Sequence, residues 1–204
     1  MLVYISCLHS SLVRKIHRKA WLSLYFAKAN VLILLGRVDE ADEYLRVAHS
    51  QIVRTGRELW LGRYYHASGL LELAKGDTST ALSTLEQAFE IFEKINHVML
   101  QNWSLLALAR AEVVDDCSRP SDWSGMPGRW LSRLETHAET RCLHGIAMQA
   151  ALIRSDLYEN QGRVRDARET LQHALGITDS LGVRPIRKII TDRITELDRL
   201  IQEA

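Results

Sequence analysis

Proline is nearly missing from this chain, at three in 204 residues, and the eleven glycines are mostly isolated. Strands need turn residues at short intervals, so so few breakers argue against a sandwich or barrel and leave long stretches free to be helical. Cysteine is scarce as well. Cys7, Cys117 and Cys142 are an odd number without framework spacing, which excludes a disulfide scaffold and points to a reducing compartment, the cytoplasm. Neither sign of charge dominates, with 26 Lys plus Arg against 25 Asp plus Glu, and this argues against a duplex-DNA binder that must contact many phosphates. Long apolar runs are absent too. The opening Met1 to Leu8 is interrupted by His9, Ser10 and Ser11, well short of the roughly 20 residues of a membrane span, and no basic segment precedes it. The chain holds no Gly-x-Gly-x-x-Gly, Gly-Lys-Ser/Thr, His-Glu-x-x-His or Gly-x-Ser-x-Gly. Nothing therefore points to an enzyme, and no cofactor is implied.

What is present is a repeat. Gly36, Ala41, Leu45 and Ala48 recur with identical spacing as Gly76, Ala81, Leu85 and Ala88, and again as Gly162, Ala167, Leu171 and Ala174. Fifteen residues after the first Ala of each set stands Gly56, Asn96 or Gly182, residue types that tolerate the left-handed conformation closing a helix. Asp39 and Asp77 lie just past the leading Gly, where a helix start favours acids. Each set is thus one helix, here the second of a pair, and short Ala side chains let a neighbour approach it closely. The first helices of the pairs are the apolar stretches 21–35, 58–75 and 146–161, and Gly69 in the second allows a close crossing. The third pair takes its first helix from 97–114, then carries an insertion over 117–128 with two of the three prolines. Its second helix is degenerate, with Trp130, Leu134, His137 and Gly145 at the repeat offsets.

At the ends, Ile5, Leu8, Leu12 and Ile16 sit at helical spacing, as in a helix of a repeat whose first half lies outside these residues. Such a helix leaves Ile5, Leu8 and Leu12 as an apolar face, and a homodimer through it is a candidate assembly. After Gly182, Ile186 to Ile201 reads as a closing helix with Arg187, Lys188, Asp192, Arg193, Glu196, Asp198 and Arg199 on its outer side. The expected organisation is a single domain over 1–204. It comprises a leading helix at 1–19, units at 20–56, 57–96, 97–145 and 146–182, and a cap at 183–204.

The pattern Gly-x-x-x-x-Ala-x-x-x-Leu-x-x-Ala after a helix resembles the second half of a tetratricopeptide repeat. Gly69 and Tyr65 fall where that family has its Gly and Trp, and Ala29 and Ser155 stand in for the Gly in other units. The unit here is about 40 residues rather than 34, similar to the helical repeats of MalT-like and LuxR-type regulators. The resemblance implies an all-α, right-handed α-solenoid of about ten helices. It implies a non-catalytic scaffold that binds a protein or peptide, or senses a small effector, without contacting nucleic acid or membrane. Either it is the regulatory portion of a larger transcriptional or signalling protein, or it is a free-standing adaptor. The family's concave positions map to Phe26, Asn30, Arg63, His66, Trp103 and Arg110. Asn30 matches one position of the family's carboxylate clamp, while Phe26 stands where the clamp has Lys.

Two further clusters stand out. Trp123 and Met126 put apolar side chains into the insertion, where either its own helices or a partner must cover them. His137, Cys142 and His144 lie close in sequence, but on one helix Cys142 points away from the two imidazoles, which is poor tetrahedral geometry, and no metal site is expected.

Overall fold

A computed structural model describes residues 21–54, 56–117 and 129–203. Within them every regular element is a helix, and consecutive helices pack against one another within each compact unit. α1 covers 21–34, followed by α2 (Val38–Val53), α3 (Glu58–Lys75), α4 (Thr78–Lys94), α5 (Val98–Cys117), α6 (Arg129–Thr140), α7 (His144–Asn160), α8 (Val164–Leu181) and α9 (Arg184–Glu203). They group into two compact units divided between Asn96 and His97. Ile5, Leu8, Leu12, Trp123 and Met126 lie outside the described residues.

The helix ends follow the repeat. Gly76 at φ 84° closes α3, its N–H reaching the carbonyls of Glu72 and Leu73, and a side chain there would be strained. Asp77 then caps α4 by accepting from the Thr80 N–H at 3.1 Å. The second helices end on the left-handed residues Gly56, Asn96, Cys142 and Gly182. Each lies eleven residues after a leucine no more than 2% exposed: Leu45, Leu85, Leu131 and Leu171. The leucines are therefore spaced 40, 46 and 40 residues apart.

That spacing corrects the register of the third pair. Leu131, not Leu134, holds the leucine place, Leu134 takes the place of Ala48, and the closing residue is Cys142. Gly145 instead sits inside α7. The insertion adds six residues to the 40-residue period. Without a Gly or Asn at the turn, nothing in the residue types marked where α6 stops.

In the first unit α1, α2 and α3 share a core built from Leu22, Phe26, Ala29, Leu32, Leu45, Ile52 and Leu71. α4 seats against α3 where α3 has no side chains. A Cβ on Gly69 would fall 2.5 Å from Leu85 Cγ and 3.2 Å from the Ala81 carbonyl oxygen, and one on Gly62 would fall 2.6 Å from Phe92 Cε1. The close crossing at Gly69 is thus real, and Gly62 provides a second. The same place in the other units is held by Ala29, Ala109 and Ser155, each 0% exposed.

In the second unit α6 begins just past the insertion and is capped from a distance, since the Glu112 carboxylate of α5 accepts from the Trp130 and Leu131 N–H groups at 2.9 and 3.2 Å. Asn102 of α5 and His137 of α6 meet at 2.7 Å. α9 covers α8 with Ile190 and Leu197. Two residues expected on its outer side turn inward: Arg193 bonds Asp156 and Glu159 of α7, and Asp198 pairs with Arg168 of α8. The ion pairs reward this orientation where sequence spacing alone assigns both to solvent.

Candidate functional site

Three rows of positions recur at the repeat spacing on the first helices of the pairs: Ser23, Arg63, Trp103 and Gln149; Phe26, His66, Leu106 and Leu152; Asn30, Leu70, Arg110 and Asp156. One α-helical turn separates neighbouring rows, so each trio shares a face of its helix.

In the first unit this face is organised around an arginine. Phe26 is only 1% exposed and its ring lies parallel to that of Trp60, centroids 6.1 Å apart at 9°. Over both rings sits the Arg63 guanidinium, 5.3 Å from the Phe26 centroid and 5.2 Å from that of Trp60. Phe26 is thus core, where the family mapping expects a partner-contacting residue. Half-burial lowers the Arg63 pKa. His66, one turn further on, is pushed down to about 4, first by burial and then by the positive charge of Arg63, so it is neutral at pH 7. Asn30 lies one turn beyond Phe26, and its Oδ1 is enclosed without a hydrogen-bond donor among the described residues. Trp60 was not legible as part of this cluster; the available signal is its position three residues before Arg63, on the same side of α3.

In the second unit the face is open. Trp103 is 47% exposed and Arg110 is exposed without an ion-pair partner among the described residues. Met99 and Val114, 54% and 51% exposed, extend the same stripe, and Leu106 lies within it. Spacings of four, three, four and four residues keep all five on one side of α5. The opposite side of α5 is core, with Leu105, Leu108, Ala109 and Ala111 at 0% exposure. Trp103 and Arg110 lie seven residues apart on this side of α5, whereas Met99 and Val114 stood out only once the buried side of α5 was known.

A groove of about 390 Å³ between α6, α7 and α8 has Ala147 and Ala151 at its floor and Glu139, Glu169 and His173 at its rim. Its Glu135 is already bound by Arg154. Burial and the charges of Arg141 and Arg133 lower the pKa of His137, and Cys142 is exposed. Among the described residues no group of three potential ligands is placed to hold a metal, and no helix is long and apolar enough to cross a membrane.

Residues 22–94 match the family model described as Tetratricopeptide repeat. The first two helix pairs are thus tetratricopeptide-like, and such repeats generally serve as non-enzymatic surfaces for protein partners. No characterised protein matches the chain by sequence.

Proposed function

We propose that the chain is a non-catalytic protein-binding scaffold whose principal contact surface is the open face of α5. The observation that carries this reading is the stripe of Met99, Trp103, Arg110 and Val114, about half exposed at its three apolar positions. A monomeric surface has little reason to hold a tryptophan, two aliphatic side chains and an unpaired arginine along one line. Tryptophan and arginine are also the residue types that dominate binding energy at interfaces. The buried side of α5 is packed through Leu105, Leu108, Ala109 and Ala111, so the surface is ordered before a partner arrives and less affinity is lost in ordering it.

The test is recovery of protein partners from cells of the source organism with the wild-type chain and with Trp103→Ala and Arg110→Ala. Because both side chains are exposed, the variants should melt at the wild-type temperature and retain their helicity. Partner recovery should fall by about tenfold for either change, the effect of truncating one interface anchor. Unchanged recovery, or a loss of melting temperature matching the loss of binding, would overturn the reading.

The 40-residue unit, similar to that of MalT-like and LuxR-type activators, favours a place within a larger transcriptional or signalling protein over a free-standing adaptor. Such an arm would act in the cytoplasm, and its bound effector would raise the melting temperature of the domain.

A further inference from the structure

Four arginines of the described residues are partly buried: Arg63, Arg154, Arg168 and Arg193. Three have a carboxylate. Arg154 is held by Glu135, Arg168 by Asp198, and Arg193 by Asp156 together with Glu159. Arg63 alone has none among the described residues; it lies instead over the faces of Phe26 and Trp60. A guanidinium drawn half out of water without a counter-charge is costly, and rings on one face recover only part of that cost. The guanidinium's forked N–H groups match a planar, two-oxygen acceptor, which is the geometry of a carboxylate.

The charge of the cluster narrows the ligand further. His66, on the same face of α3, is neutral at pH 7, so Arg63 contributes the single positive charge of this cluster. One charge is balanced by one carboxylate, while a phosphate dianion would leave a negative charge over largely apolar surroundings. The location, on the binding face of a first-of-pair helix, makes a protein segment the natural carrier.

We propose that Arg63 is a preformed anchor for an Asp or Glu side chain of a protein partner, its guanidinium lying over Phe26 and Trp60 and the carboxylate seating on its forked N–H groups. This rests on the reading of the chain as a protein-binding scaffold, and it adds the chemistry of what is bound.

The experiment uses the full chain and fluorescent peptide pools: two acetylated and amidated at their ends and identical except that Glu in one is Gln in the other, a third with phosphoserine in place of that residue, and a fourth, the Gln pool with a free C-terminus. Wild type should bind the Glu pool at least about tenfold more tightly. Arg63→Met should abolish the difference, and Arg63→Lys, which keeps the charge but loses the fork, should retain only part of it. Addition of the Glu pool to wild type should shift the Arg63 Nε–H resonance, a readout independent of any variant's folding. Equal affinity for the two pools, or an unmoved Arg63 resonance, overturns the proposal. Tighter binding of a phosphoserine pool would replace it with a dianion site, and binding only of peptides with a free terminal carboxylate would replace it with a site for chain ends. The two readings separate in partner recovery. If Arg63→Met recovers partner like wild type while Trp103→Ala does not, the anchor fails and the α5 surface stands.

Discussion

A single hydrogen atom in place of a methyl group decides how close α3 and α4 can lie. At Gly69 a Cβ would meet both the Leu85 side chain and the carbonyl of Ala81, and the carbonyl cannot rotate away. Gly69→Ala gains up to about 1 kcal/mol of helix propensity but forces an overpacked crossing that costs about 1–3 kcal/mol. A net loss and a lowered melting temperature are expected. Gly176, inside α8, has nothing within 4 Å of the same added atom, so Gly176→Ala should raise stability by up to about 1 kcal/mol. Thermal melts of the two variants should move in opposite directions. His66 supplies a second effect of one residue. Its folded pKa of about 4 lies below the ordinary 6.5, so the unfolded chain takes up the proton first and stability falls as pH drops from above 6.5 toward 4. Between pH 7.5 and 5.0 the histidine should account for about 2 kcal/mol of that fall. Urea melts of wild type and His66→Gln at the two pH values isolate it: the variant should lose less, and parallel losses would show that His66 does not titrate this way. At this scale the sequence was read unevenly. Gly69 announced itself because a glycine within a helical stripe needs a reason, while Cys142 at φ 52° did not, since cysteine carries no preference for that conformation.

Among the elements, α6 depends most on the rest of the fold. At 12 residues it is the shortest of the helices from α2 onward, near the length at which a helix is marginal alone. Two of its first amides, those of Trp130 and Leu131, donate to Glu112 from the preceding helix. A carboxylate there both accepts those hydrogen bonds and opposes the positive end of the helix dipole. Glu112→Ala should cost about 1–2 kcal/mol, and Glu112→Gln, which keeps an acceptor, distinctly less. Hydrogen exchange at Trp130 and Leu131 should accelerate in both variants, most in the alanine. Protection unchanged from wild type would mean that α6 is fixed by packing alone. The helix pairs with intact Gly, Ala, Leu, Ala spacing could be placed from sequence because one leucine and two small residues define a face. The third pair could not, because its insertion displaced the pattern by six residues and a large Trp130 took up a buried position that invited the wrong alignment. Long-range capping left no local signal at all.

For the molecule as a whole, the repeat makes α1 anomalous. Leu24 and Val31 occupy the places held by Tyr64 and Leu71 in α3, Ser104 and Ala111 in α5, and Ala150 and Leu157 in α7. Five of those six counterparts are buried and Tyr64 is half-buried, yet Leu24 and Val31 are 65% and 54% exposed, with Leu35 at 64% beside them. Burying a leucine or valine recovers about 1.5–3 kcal/mol per side chain, so this face of α1 is a candidate contact for a second copy of the chain, distinct from the one expected at Ile5, Leu8 and Leu12. Light scattering at two protein concentrations should show the mean mass rising toward twice the monomer at the higher one. Leu24→Glu with Val31→Glu should hold the chain monomeric at both without lowering the melting temperature, since exposed side chains contribute little to the fold. A wild-type monomer at both concentrations would refute self-association through α1. Association that persists in the double variant would move the contact elsewhere, with the stripe of Met99, Trp103 and Val114 on α5 the next surface to alter.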